Sequence, residues 1–217
     1  KKKQSLQSFF DKLTDQQKAG IRAVAIDRAG AYYEVVKAQL PRAEIVFDKF
    51  HLIANYNEVI DKVRREEWRK ADEKDKGVIK GQRYNLFRNP ENRTKSQTRS
   101  LRALLRINEN LTKAHILKDA FRQLWTYTRR VWAEKYFDKW VRWALDSGVE
   151  TLRKFARSLV KAKDEILNYC KYPITTGRLE SFNNTISRII HRACGIRDLD
   201  YLFLKLRQES LDLVPPK

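Results

Sequence analysis

The chain has 217 residues, 42% of them hydrophobic and with five Trp, nine Tyr and ten Phe, enough to build a core and to exclude wholesale disorder. A formal net charge of +19 and a pI of about 10.0 make polyanions, and nucleic acid first among them, the leading partner class; the bland alternative is an acidic domain elsewhere that balances the charge. There is no apolar run long enough to cross a bilayer and no signal-peptide pattern, and two cysteines, Cys170 and Cys194, do not make a disulfide framework, so a reducing cytoplasmic, nucleoid-associated setting is expected.

The chain contains no Met and begins "KKKQSLQSFF", which reads as part of a longer polypeptide or a chain whose start has been removed. "SLQSFFDKL" and "TDQQKAG" are expected as short helices, the second opened by Thr14 and closed by Gly20. "IRAVAID", "AYYEVVKAQL" and "AEIVFDKF" then give a strand–helix–strand rhythm, the pattern of parallel strands joined by a helical crossover. Asp27 and Asp48 fall at or near the carboxyl ends of the two strands, where open α/β sheets place their ligands. After residue 50 the period becomes helical. Leu52, Tyr56, Val59, Ile60 and Val63 share a face, and "GQRYNLFRNPENRTKS" is a polar, basic connection. Leu104, Leu111, Ala114, Leu117, Phe121 and Leu124 mark one long amphipathic helix, and "RRVWAEKYFDKWVRWAL" and "VETLRKFARSLVKAKDEILNYC" mark two more. One amphipathic helix with a stop is expected over "ITTGRLESFNNTISRIIHRACGIRD", residues 174–198, and "LDYLFLKLRQESLDL" is the last.

Gly-rich phosphate loops and metal-binding CxxC or HxxxH pairs are absent from the sequence, which argues against a nucleotide-driven enzyme and a zinc site. The cysteines read as inert thiols, with a Cys–His nucleophile left open. Carboxylates carry the sharper possibility. Asp27 ends a strand and Glu180 opens a helix far down the chain, and hard cations such as magnesium take carboxylate oxygens converging from different elements. The competing readings are a helix N-cap for Asp27 and a helix-dipole contact for Glu180; a capping box is disfavoured because Gly177 stands three residues before Glu180. On that last-but-one helix Leu179, Phe182, Ile186, Ile189, Ile190 and Ala193 are expected to form the apolar side. Glu180, Asn184, Ser187 and His191 share a polar stripe, either solvent surface or a track for a phosphate backbone beside Arg188 and Arg192. Asp48 and His51 form "DKFH", with His51 near the strand ends as a structural histidine or a ligand.

The series "AIDRAGAYYEVVKAQLPRAEIVFDKFHLI", "KGQRYNLFRNPENRT" and "PITTGRLESFNNTISRIIHRACGIRD", in this order over nearly the whole chain, resembles the DDE transposases of bacterial insertion sequences, the ISL-three group. The resemblance implies a mainly α chain with a small α/β part: an incomplete RNase H-like catalytic core, residues 1–50 and 171–217, interrupted by an all-helical insertion over 51–170. It implies an Asp–Asp–Glu triad that holds two Mg2+ (or Mn2+) ions, with Asp27 as the second Asp and Glu180 as the Glu. Asp48, His51 and Asn184 fall near that site, and Gly195 to Asp198 match the closing turn. The first Asp, with the zinc-binding and helix-turn-helix regions of the family, is expected upstream of residue 1, which would leave this chain catalytically incomplete. Where the family often has Lys seven residues after the Glu, Ser187 stands here, with Arg188 beside it.

The function implied is metal-dependent DNA cleavage and strand transfer at insertion-sequence ends. DNA is the partner, with no membrane and no small-molecule substrate, and with a homo-oligomer possible. Arg178, Arg188, Arg192 and Arg197, and Arg83 in the basic connection, are the expected DNA contacts. The alternative from another class is a non-catalytic, basic helical module that binds nucleic acid, or a surviving remnant of a transposase.

Overall fold

The computed structural model describes residues 2–28, 30–193 and 198–212. Helix α1 (Lys2–Phe10) leads to α2 (Asp15–Gly20), whose start is fixed by a capping box: Thr14 Oγ1 accepts from the Gln17 amide, and the Thr14 N–H donates to Gln17 Oε1. Strand β1 (Ala23–Ile26), crossover helix α3 (Gly30–Gln39) and strand β2 (Glu44–Phe47) follow the expected order. The strands are parallel and in register from Ala23↔Glu44 to Ile26↔Phe47. The sheet has two strands, so the outer edge of β1 meets no further strand among the described residues. The other side of β2 is covered, with the Asn168 side-chain amide donating to the Ile45 carbonyl at 3.0 Å.

Helix α4 (Lys49–Lys70) buries Leu52, Tyr56, Ile60 and Val63, the face its spacing marks. The helical block continues through α5 (Glu73–Ile79), α6 (Arg83–Phe87), a 3-10 turn at Pro90–Asn92, α7 (Lys95–Ile107), α8 (Glu109–Gln123), α9 (Arg130–Asp146), α10 (Glu150–Val160) and α11 (Lys163–Leu167). Gly148, at φ 77°, makes the left-handed step between α9 and α10 that a side chain would resist.

Three expectations need correction. The basic connection after residue 80 is not irregular, because it folds α6. The buried Lys118 ammonium donates to the Leu86 carbonyl at 2.8 Å and also to that of Phe87, satisfying the carbonyls at the end of this short helix. The long helix through Leu104 and Leu124 is two helices. Asn108 (φ −129°) ends α7 and begins α8, its side chain accepting from the Leu111 amide at 2.9 Å. The helix through Leu152 and Ile166 also breaks, where Ala162 leaves the helical region (φ −123°, ψ 21°) between α10 and α11.

The core is continuous from Phe10 through Ile45 to Leu167, so the strands and the helical block share it. Its centre is aromatic: Tyr56 of α4, Phe121 of α8, Trp140 of α9 and Phe155 of α10, with Phe121 4.8 Å from Trp140 and Tyr56 5.3 Å from Phe155 between ring centroids. The polar ends are satisfied, Tyr56 Oη donating to Ala114 O and Trp140 Nε1 to Leu117 O. The chain divides into two compact units, residues 1–175 and 176–217. The second consists of α12 (Gly177–Arg192) and α13 (Leu199–Asp212), which touch each other. The fold is thus mainly α with one small parallel sheet, and no described helix is long and apolar enough to cross a membrane.

Candidate functional site

In the first unit two acids leave the sheet side by side. Ile26 pairs with Phe47, so Asp27 and Asp48, the next residue of each chain, emerge at the same level on strands about 4.8 Å apart. The Asp48 N–H donates to the Ile26 carbonyl at 2.9 Å, carrying the ladder one step past the strands. Asp27 is half-buried, whereas Asp48 is 1% exposed. Asp48 is also the N-cap of α4: one carboxylate oxygen accepts from the Phe50 amide at 2.8 Å, and the other lies 3.5 Å from His51 Nδ1. The fold therefore brings Asp27, Asp48 and His51 to one end of the sheet, with β2 and the first turn of α4 as the rigid support.

A cleft of about 540 Å3 opens at this end, with Gly30, Tyr33 and Phe47 on one side and α10 on the other. Arg28, immediately after Asp27, donates from Nη2 to the Ser158 carbonyl at 3.0 Å and ties β1 to α10. Burial lowers the pKa of its guanidinium from the usual value. Lys154 and Arg157 on α10, and Lys161 just after its end, line the cleft with it. Tyr33 Oη donates to Glu165 at 2.7 Å, and this bond, with burial and the acid's charge, pushes the phenol up to about 12. Four cations against the single acid Glu165 leave the cleft lining positively charged.

Arg83 stands elsewhere in this unit. It lies on α6, 3.7 Å from the buried Asp61 carboxylate, which also pairs with Arg64 at 2.9 Å and Arg65 at 3.3 Å. Its guanidinium also lies over the rings of Tyr84 and Phe87.

In the second unit α12 starts one residue earlier than a Gly177 cap requires. Thr176 is the N-cap, in the helical region and without a side-chain capping bond. Its carbonyl accepts from the Glu180 amide at 3.0 Å, and its hydroxyl donates to Glu180 Oε1 at 3.3 Å. Glu180 thus lies in the first turn with a threonine contact but without a capping box. The exposed line Glu180, Asn184, Ser187 and His191 falls on the expected stripe. The apolar side is narrower than the pattern indicates: Ile189 and Thr185 are buried and Phe182 and Ile186 half-buried, whereas Leu179 (60%) and Ile190 (38%) are exposed, and so is Ala193. Arg188 is held on its own helix, donating to Thr185 Oγ1 at 2.9 Å. Arg178 and Arg192 are exposed on α12. Arg197, and Gly195 of the closing turn, lie outside the described residues.

Residue-type reasoning missed one buried polar group. Lys118 (1% exposed) and His115 (7%) sit within α8 near Asp119 and Arg93. Burial pushes Lys118 down to about 8 and His115 down to about 4, against the opposing pull of Asp119. Lys118 falls four residues after Ala114 and three before Phe121, on the apolar stripe itself, and that placement was the available signal.

A family model described as a transposase matches residues 1–206. The chain belongs to the DDE transposases of the ISL-three group. This transposase chain is 38% identical to the transposase for insertion sequence element IS1001 of Bordetella parapertussis, over 94% of its own length and 51% of the relative's. It is 25% identical to the transposase for insertion sequence element IS1557 of two Mycobacterium tuberculosis strains, CDC 1551 / Oshkosh and ATCC 25618 / H37Rv, over 90% of its own length and 49% of theirs. The chain thus spans about half the length of the curated relatives it matches. No solved structure matches it.

Proposed function

We propose that this transposase chain forms the later part of a catalytic region that cuts and joins DNA at insertion-sequence ends, with Asp27 and Glu180 as two of three metal-binding carboxylates. The observation that carries this reading is the placement of Asp27 beside Asp48 at the carboxyl end of a parallel strand pair, in a member of a DDE transposase family. In this reading residues 1–50 and 171–217 belong to an RNase H-like core and 51–170 is the helical insertion. The first Asp would come from a preceding strand in a longer protein, which the half-length match to the relatives supports, and the chain alone would be inactive.

The donors fit a hard divalent cation. Asp27 and Glu180 offer carboxylate oxygens, which suit Mg2+ or Mn2+ better than zinc. When bound, such ions would activate a water, then a 3′-hydroxyl of the DNA, and neutralise charge on the phosphate under attack. The chain's own residues have distinct tasks. Asp27 and Glu180 would supply ligand oxygens to the ions. Asp48, held by the Phe50 amide, orients the start of α4 and with it His51. Arg28, Lys154, Arg157 and Lys161 line the cleft in which phosphates of the reacting strand would lie, and Arg178, Arg188 and Arg192 offer cations on α12.

The test uses the full-length transposase and its own transposon ends. Asp27→Asn and Glu180→Gln should each lower the end-cleavage rate at least about 100-fold, roughly 2.7 kcal/mol of transition-state stabilisation, with end binding kept. Cleavage at the parent rate by either variant would remove that residue from the catalytic set.

A further inference from the structure

The first unit carries a second basic groove, separate from the cleft at the strand ends. About 530 Å3 in volume, it is lined by Arg93, Lys95, Thr98, Arg99, Arg102, Ala103 and Arg106. Helix α7 builds most of it. Lys95, Arg99, Arg102 and Arg106 follow one another at intervals of four, three and four residues, one line along the helix, with a charge every ~4.5–6 Å over ~16 Å. The opposite face buries Leu101 and Leu104, so the core fixes which side of α7 looks outward. No acidic residue lies on α7 or among the residues lining the groove.

Several cations elsewhere on the surface are paired with acids. Lys70, Lys76, Lys113 and Lys163 each hold a carboxylate on their own or a neighbouring helix. Arg93, Lys95, Arg99, Arg102 and Arg106 form no ion pair among the described residues. Arg93 feels Glu91 and Asp119 only at longer range, and its Nε and Nη2 atoms are buried without a hydrogen-bond partner. Like charges four residues apart on a helix repel and destabilise it. Two buried guanidinium nitrogens without acceptors add a further cost. An anion in the groove would relieve both. The small Ala103 side chain leaves room for its approach.

We propose that the α7 groove binds the phosphodiester backbone of duplex DNA, independently of sequence, and so gives the helical block a DNA contact of its own. A line of cations matches a chain of phosphates rather than a single small anion, and charge complementarity selects the occupant. The proposal rests on the reading of the protein as a DNA transposase, but its test does not involve cleavage. Loss of end cleavage in the Asp27 or Glu180 variants therefore reads the catalytic assignment, and the binding assay below reads the groove.

The assay is fluorescence anisotropy of a labelled duplex of mixed sequence, with the 217-residue chain, across a NaCl series. Substituting Arg99→Gln, Arg102→Gln and Arg106→Gln together should weaken binding and flatten the slope of log affinity against log salt by about 2–3. A triple with the same charge loss, Lys135→Gln, Lys139→Gln and Arg142→Gln on α9, should leave the slope near that of the parent. Circular dichroism confirms that both triples fold. An α7 triple with the parent's slope, two triples that flatten it equally, or a parent chain that does not bind duplex DNA would each overturn the proposal. Inorganic polyphosphate, run as a competitor, distinguishes the source of phosphate. Weaker binding than to duplex DNA is expected, and equal or tighter binding that the α7 triple abolishes would overturn DNA as the occupant.

Discussion

At the scale of single residues, His115 is the group whose burial has the clearest consequence in solution. Its imidazole is 7% exposed, Asp119 lies 3.8 Å away, and Arg93 and Lys118 oppose its protonation. Burial depresses its folded pKa to about 4. The unfolded chain takes up a proton as the pH falls through about 6.5, the folded chain only near 4, so the unfolded state binds more protons between these values. Stability contributed by neutral His115 is therefore present above pH 6.5, is lost progressively down to about pH 4 and changes no further below that. Urea unfolding at pH 7 and pH 5 should show a larger loss for the parent than for His115→Gln, a difference of order 1 kcal/mol. Equal losses would mean that His115 titrates in the fold much as it does in the open chain.

At the scale of elements, the break at Asn108 shows what spacing reveals and what it hides. Leu104, Leu111, Leu117 and Phe121 keep a helical period across the break, because α7 and α8 bury their apolar faces in the same core. Period alone therefore reads one helix. The local chemistry of "INEN" held the other half of the signal, since Asn108 followed by Glu109 is an N-cap with an acid in the first turn. Asn108 also donates from Nδ2 to Glu67 Oε2 at 3.0 Å, and Asn110 donates to the same carboxylate. Burial raises the pKa of Glu67, but the bonds from Asn110, Asn108 and Lys70 outweigh it and leave the net value lowered. Asn108→Ala should thus cost about 1–2 kcal/mol, from a lost cap and a weakened Glu67 network, measurable by urea denaturation. The two short strands and their terminal acids were legible, because a β-branched run that ends in an acid depends on few neighbours. The fold of α6 was not. Its last carbonyls are satisfied by Lys118, which follows Phe87 by 31 positions, and residues 82–88 contain no hint of that partner. The stripe on α12 was legible as a period. Its exposed Leu179 and Ile190 were not, because exposure depends on how much surface the neighbouring elements cover.

At the scale of the whole molecule, the shared core decides how the first unit behaves. Phe10, Ile45, Tyr56, Phe121 and Leu167 belong to one cluster, so the strand pair and the helical block should unfold together. Phe121→Ala, which removes the ring that contacts Tyr56, Trp140 and Phe155, should cost about 3–5 kcal/mol and lower the protection of Val46 in β2 as much as that of Leu152 in α10. Hydrogen exchange of the two amides checks this, and a loss confined to Leu152 would mean two separately folding parts. If residues 51–170 are an insertion, it is one that has fused with its host, and a deletion of the helices would leave β2 and Phe47 without their cover.

The outer edge of β1, which meets no further strand among the described residues, has a practical consequence. A strand that lacks a neighbour on one side is a template for another strand, in cis or in trans. At low ionic strength the +19 charge keeps copies of the chain apart. Added salt screens that repulsion but leaves the backbone donors and acceptors of β1 untouched. High salt is therefore the condition that favours edge-to-edge self-association, and moderate salt is the gentler way to keep the chain monodisperse.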